Sequence, residues 1–211
     1  MSADAQLAQG LAALDMALVP QQIDKLEAYL ALLAKWNAVH NLTAIRDASR
    51  MVSHHVLDSL AVLPFLGRGR LLDVGSGGGL PGIPIAIACP EMHVTVLDSN
   101  QKKSAFLTQA AIELELANVD VAAQRVEDYA PAQLFDIVIS RAFADLGEFA
   151  TAAKHLLAPG GVLAAMKGVH PHEEIAHLPS GFTLQHVHKL SVPGVNAERH
   201  LILLALGPAA A

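Results

Sequence analysis

The stretch Leu71-Leu72-Asp73-Val74-Gly75-Ser76-Gly77-Gly78-Gly79-Leu80-Pro81-Gly82 constrains this chain more than any other, because an apolar run breaks there into five glycines within eight residues. Leu71, Leu72 and Val74 read as a short buried strand. Ile83, Ile85, Ala86 and Ile87 read as the start of a packed helix, with Pro84 tolerated in its first turn. Between them the backbone must turn sharply with positive φ and let a ligand approach where a Cβ would clash. The N–H groups at the helix start are expected to be free and to face that ligand. Gly77-Gly78-Gly79-Leu80-Pro81-Gly82 also satisfies the G-x-G-x-x-G pattern of dinucleotide sites, so nicotinamide and other adenosine ligands both remain open at this point.

The flanking sequence supplies the layers. Residues 5 to 66 read as helical: Ile23, Leu26, Leu30 and Leu33 recur at three- and four-residue spacing after Pro20, and the helix is expected to end near Asn37 to Asn41. A second helix is expected from about Ala48 to Leu63, stopping before Pro64. From Arg70 onward strands and helices alternate, which predicts a parallel sheet with right-handed crossovers. The strands are Val94–Leu97, Val119–Ala122, Phe135–Ser140 and Val162–Met166, with helices over about Gln101 to Leu116 and Leu146 to Leu157, the latter stopped by Pro159-Gly160-Gly161. Two further strands, about Thr183 to Leu190 and His200 to Leu206, are expected to pair antiparallel. This divides the chain into a helical cap over 1–66, an α/β domain over 67–207 and a frayed tail over 208–211.

Composition removes several classes. A net charge of −6 gives no support to a general nucleic-acid binder, so any such contact must use a local basic patch. The single Cys89 excludes an internal disulfide and makes a reducing cytoplasm the default. No apolar stretch approaches the length of a membrane span, and no feature calls for an obligate protein partner. His54-His55, His170/His172 and His186/His188 are the pairs that raise a metal reading; the expectation is that no metal is bound, with His54 or His55 packing between cap and cleft.

In an open parallel sheet the ligand lies beyond the carboxyl ends of the strands. Gly75 to Leu80, Asp98, Val126 with Glu127, and Ser140 with Arg141 follow successive strand ends. Asp98 sits where a carboxylate can hydrogen-bond ribose hydroxyls, with Ser99 or Asn100 free to cap the next helix. For Arg141 the bland alternative is an ion pair with Asp136 or Asp145; for Lys167, a solvated strand end rather than an RNA contact. Asn37, Asn41 and Asp58 either approach the site from the cap or serve as caps and core hydrogen bonds.

The resemblance becomes specific when these pieces are read together. A strand ending in Asp73-Val74-Gly75, a glycine loop, a second strand ending in an acid, and Leu156-Leu157-Ala158-Pro159-Gly160-Gly161-Val162-Leu163 before the fifth strand resemble a class I methyltransferase that binds S-adenosyl-L-methionine. That resemblance implies an α/β, Rossmann-like fold: a seven-stranded, mostly parallel sheet with a C-terminal antiparallel hairpin, under the N-terminal helical cap. Within the class, Lys35-Trp36-Asn37 with Asn41-Leu42-Thr43-Ala44-Ile45-Arg46, His55-Val56-Leu57-Asp58-Ser59-Leu60, Gly75 to Gly82 and Ser140-Arg141-Ala142 resemble the small-subunit ribosomal RNA guanine-N7 methyltransferase family, also called glucose-inhibited division protein B.

The resemblance implies methylation of a guanine N7 in 16S ribosomal RNA, with Gly75 and Leu80 of the loop contacting the cofactor and Val126 and Glu127 flanking its adenine; Gly77 and Asp98 are expected to contact it as well. Arg141 is implied at the active-site edge, as both cofactor contact and catalytic residue. Ser53 stands where the family leads one to expect a charged residue. Guanine N7 loses no proton on methylation, so no general base is required, and the chain lacks the Asn-Pro-Pro-aromatic motif of amino-group methyltransferases. A small-molecule methyltransferase is the alternative function.

Overall fold

The computed structural model describes residues 3–141 and 143–207, so the 208–211 tail and Ala142 of the Ser140-Arg141-Ala142 motif lie outside the described residues. Strands β1 (Arg70–Val74), β2 (His93–Leu97), β3 (Val119–Ala122), β4 (Phe135–Ser140), β5 (Leu157–Lys167), β6 (Phe182–Lys189) and β7 (His200–Leu206) form one sheet in the order β3-β2-β1-β4-β5-β7-β6. The first five run parallel, and β7 is antiparallel to both β5 and β6. All seven expected strands and the closing hairpin are present, with β5 beginning five residues earlier than the sequence expectation.

Alternation along the strands sorts the core into two layers. Leu71, Ile137, Ile139, Ala164, Leu201 and Leu203 enter one apolar cluster, while Leu72, Val138, Leu163, Ala165, Ile202 and Leu204 enter the other. Burial on both faces is why these strands read as unbroken apolar runs. The second cluster is closed by α7 (Leu146–Ala153), through Leu146, Phe149, Ala150 and Ala153.

The N-terminal helices α1 (Ala3–Ala13) and α2 (Pro20–His40) cover the first cluster, together with a helical run made of α3 (Ala48–Met51), a π-helical turn (Val52–Leu57) and α4 (Asp58–Leu60). Their Leu7, Leu26, Leu33, Val56 and Leu60 are buried in the same cluster as Leu71, Val94 and Phe106, alongside α5 (Gly82–Ala88) and α6 (Gln101–Glu113). Pro20 opens α2, and Asn41 closes it in the left-handed region with φ 51°, its N–H donating to the Asn37 carbonyl. That contact is the last i+4 bond of the helix, and the left-handed residue then turns the chain away from the helix axis.

Two expectations need correction. Pro159-Gly160-Gly161 does not separate helix from strand: α7 stops at Ala153, a 3-10 turn follows (Lys154–Leu156), and β5 already begins at Leu157. The step from Phe135 to Ile137 on β4 is matched by the step from Leu157 to Val162 on β5, so the triplet is the surplus of a bulge, with Gly160 at φ 81°. The helix from Ala48 is likewise not one regular element, since a π turn interrupts it and Pro64 lies inside a separate 3-10 turn (Leu63–Phe65). The last short helix, α8 (His172–Ala176), follows β5.

Candidate active site

β1 and β4 are neighbours although β2 and β3 intervene in sequence, so strand order reverses between them and a crevice opens at their carboxyl ends. Gly75 follows β1 and Arg141 follows β4. A cavity lies on each side of this point. The first, of about 310 Å³, is lined by Gly75, Asp98, Val126 and Glu127 with Ser99, Lys103, Arg125 and Phe143. The second, of about 360 Å³, is lined by Thr43, Ala44 and Ile45, His54, His55 and Asp58, Arg141, Lys167, Arg199 and His200.

In the first cavity Asp98 is the fixed polar group. Its carboxylate, 6% exposed, accepts the Gly77 N–H at 2.9 Å and the Asn100 N–H at 2.8 Å, with the Lys103 ammonium 3.8 Å away. Asn100 caps α6 by accepting from the N–H groups of Lys102 and Lys103, which leaves Asp98 out of the capping role. A carboxylate offers about four acceptor positions, so Asp98 retains capacity for a diol. Val126, opening a 3-10 turn after β3, supplies an apolar wall, and Glu127 follows it.

The glycine loop is differently wired from the sequence expectation. Gly82 N–H donates to Asp73 Oδ2 at 2.8 Å, and Ile83 N–H to the Gly79 carbonyl at 2.7 Å, so the helix start does not present a row of free donors. Gly75 and Ser76 N–H groups are taken by Leu97, and Gly79 and Leu80 N–H groups by Ser76. What the loop offers a ligand is space. Gly77 acts through Asp98, and the Leu80 side chain is buried at 4% exposure, apart from the residues lining either cavity. Asp73, which sequence reasoning left unassigned, is fully buried with Oδ1 unpartnered; burial pushes its carboxyl up to about 7 against the pull of the Gly82 N–H.

Cap residues build the second cavity. Asn37 accepts the Thr43 N–H at 2.8 Å and donates to the Ile45 carbonyl at 3.1 Å, and so shapes the 43–45 loop. Asn41 accepts from Arg46. His55, in the π turn, donates from Nδ1 to the His54 carbonyl, which leaves Nε2 to accept the Thr43 hydroxyl at 2.9 Å. Burial, then the nearby Arg141 charge, lowers its pKa to about 4, so the ring is neutral at pH 7. Arg141 pairs with neither acid that the sequence offered: Asp136 accepts the Arg70 N–H and Asp145 caps α7. Its guanidinium instead reaches Asp58 at 3.2 Å and the His54 carbonyl at 3.1 Å, and Asp58 also holds Arg199 at 2.9 Å. Lys167 is not a solvated strand end. It is inserted between Glu174 at 2.7 Å and the carbonyls of Phe143 and Ala144.

Among the described residues no group of three His, Cys, Asp or Glu side chains is placed to hold a metal ion, and no helix is long and apolar enough to cross a membrane.

Sheet order, glycine loop and the acid ending β2 define the class: this is a methyltransferase of the S-adenosyl-L-methionine-dependent class I fold. Solved structures share that fold. A glycopeptide N-methyltransferase complexed with S-adenosyl-L-methionine superimposes with a TM-score of 0.63 at 11% identity, over 73% of this chain and 88% of its own. An O-methyltransferase from Streptomyces achromogenes gives 0.57 at 20% identity, over 85% and 90%. Sequence goes further than fold. The family model described as rRNA small subunit methyltransferase G matches residues 22–202, and the chain belongs to that family. It is 55% identical to the Ribosomal RNA small subunit methyltransferase G of Chromobacterium violaceum, covering 96% of this chain and 97% of that one. With the protein of the same name from Laribacter hongkongensis it shares 53% identity, over 98% and 100%.

Proposed function

We propose that this protein transfers a methyl group from S-adenosyl-L-methionine to N7 of a guanine in 16S ribosomal RNA. The observation that carries the reading is the pair of cavities flanking the β1/β4 switch point, one built for an adenosine and one beside it walled by the cap. Asp98 offers acceptor positions to the ribose hydroxyls, Val126 lies against the adenine, and Glu127 and Gly75 complete that wall. Leu80 and Gly77 hold the loop's shape from behind. The second cavity takes the target base, with Arg141 between the two ligands.

When bound, S-adenosyl-L-methionine supplies an electrophilic methyl on a sulfonium whose charge disappears on transfer. N7 attacks with an in-plane lone pair and carries no proton to be removed, so the chain need only hold the base in line and keep water out; alignment of this kind contributes roughly 7 to 11 kcal/mol in favourable cases. A neutral His55 suits this, because an imidazolium would oppose the positive charge that develops on the purine.

Contacts to RNA beyond the pocket fall to exposed cations: Arg125 in the lining of the first cavity, Lys102 beside Lys103 of that lining, and Arg46 and Arg50 in the segment between Ile45 and His54, which line the second. The test is transfer of labelled methyl to small ribosomal subunits from cells lacking the activity, followed by nucleoside analysis. Label in 7-methylguanosine of 16S RNA is expected. Cofactor binding with no RNA labelled would move the activity to a small-molecule acceptor and make the cap a substrate lid.

A further inference from the structure

Asp58 joins three elements that are far apart in sequence. It begins α4 at the end of the π turn, with its side chain only 3% exposed, and its two oxygens go to different arginines. Oδ2 accepts from Arg141, which follows β4; Oδ1 accepts from Nε of Arg199, which precedes β7. Arg141 is held a second time by the His54 carbonyl, from the same helical run. The direction of the Arg141 guanidinium is therefore set by the cap and not by the strand that carries it. Among the described residues these are the only ion pairs between the N-terminal helices and the rest of the chain.

Charge gives this arrangement its consequence. Two guanidiniums facing one cavity would oppose a purine that becomes cationic, and one buried carboxylate brings the array to a single net positive charge. A long flexible arginine without that anchor samples many directions. We propose that Asp58 is a positioning residue for methyl transfer, fixing Arg141 at the boundary of the two cavities and setting the charge of the Arg141–Arg199 pair; this rests on the methyltransferase reading above.

The test is a double-mutant cycle on the full chain, with small ribosomal subunits as substrate. Asp58→Asn, which keeps size and shape, is expected to lower kcat by about tenfold to a hundredfold. Its KM for S-adenosyl-L-methionine is expected to change much less than kcat, because the lining of that ligand's cavity does not include Asp58 and meets Arg141 only at its boundary. Arg141→Ala lowers kcat by itself, and adding Asp58→Asn to it is expected to lower kcat by a clearly smaller factor than in wild type, since only the charge of Arg199 is then left without its partner. A role confined to stability would lower kcat by the same factor in both backgrounds, and that result overturns the proposal, as does a wild-type kcat in Asp58→Asn. Should Asp58→Asn fail to fold, the same cycle with Asp58→Glu, whose carboxylate survives one methylene further out, must show a kcat loss that is clearly smaller beside Arg141→Ala. Wild-type protein run alongside tests the methyltransferase reading separately: a wild type that binds cofactor yet labels no RNA removes both.

Discussion

The buried hydroxyl of Tyr29, on α2, donates to the Gly78 carbonyl inside the glycine loop. The cap is thereby tied to the loop that shapes the first cavity, across a separation of 49 residues. Removing the hydroxyl leaves a buried carbonyl without its donor, which costs about 1–3 kcal/mol. Tyr29→Phe is expected to lose that much stability in urea unfolding and to bind S-adenosyl-L-methionine more weakly by calorimetry. Unchanged affinity would show that the loop keeps its shape without the cap.

Two glycines of the loop should fail in opposite ways when replaced by alanine. At Gly79 the φ is +85° and a Cβ would stand 2.5 Å from Ile83 Cγ1, so backbone strain and overpacking add. At Gly77 the φ is +58° and the Cβ would meet nothing nearer than the Gly75 carbonyl at 3.9 Å. Gly79→Ala is expected to destabilise by about 2–4 kcal/mol and Gly77→Ala by about 1–2 kcal/mol. The Gly77 N–H holds the Asp98 carboxylate that lines the first cavity, so Gly77→Ala is expected to weaken cofactor binding more than its stability loss explains. Thermal unfolding and cofactor titration of both variants check the crossing.

What the sequence made legible follows from how local each signal is. The strands were readable because burial on both faces writes continuous apolar runs, and the loop because five glycines in eight residues have few structural uses. Gly75, Asp98, Val126 and Glu127 could be placed together from strand ends alone, and they line one cavity. The Asp58 bridge could not: Arg199 lies 141 residues away, and an even sequence gives no reason to prefer Asp58 over the nearer Asp136 or Asp145 as the partner of Arg141. Asp73 was hidden by its neighbours, since a strand's last acid beside a glycine loop reads as part of the motif. Only the fold shows it taking the Gly82 N–H that was expected to face a ligand.

Binding to RNA should depend steeply on salt. With a net charge of −6, attraction to a phosphate backbone cannot come from the molecule as a whole and must come from local cations such as Arg46, Arg50, Lys102 and Arg125. Each phosphate contact contributes about 0.7 to 0.9 to the slope of log affinity against log salt. Arg125→Gln is expected to lower that slope by about one contact's worth while leaving the fold intact. A flat salt response of the wild type would remove the local patch from the account.

Two buried groups near the site pull stability in opposite directions with pH. Burial raises the Asp73 carboxyl to about 7, so the folded protein holds a proton that the unfolded chain has released, and stability falls as pH rises from about 4 to about 7. Burial first, and the Arg141 charge second, lower His55 to about 4, so the unfolded chain binds a proton that the folded one refuses. Its contribution is complete above about 6.5 and is lost as pH falls toward 4. Between those limits the two slopes oppose each other, and the wild type should be flatter with pH than either single variant. Asp73→Asn is expected to gain stability as pH rises through this window, with a slope approaching about 1.4 kcal/mol per pH unit, and His55→Gln to lose stability with a slope of opposite sign. Urea unfolding of the three proteins across the window measures both slopes, and variants that run parallel to the wild type would show that neither group changes protonation on folding.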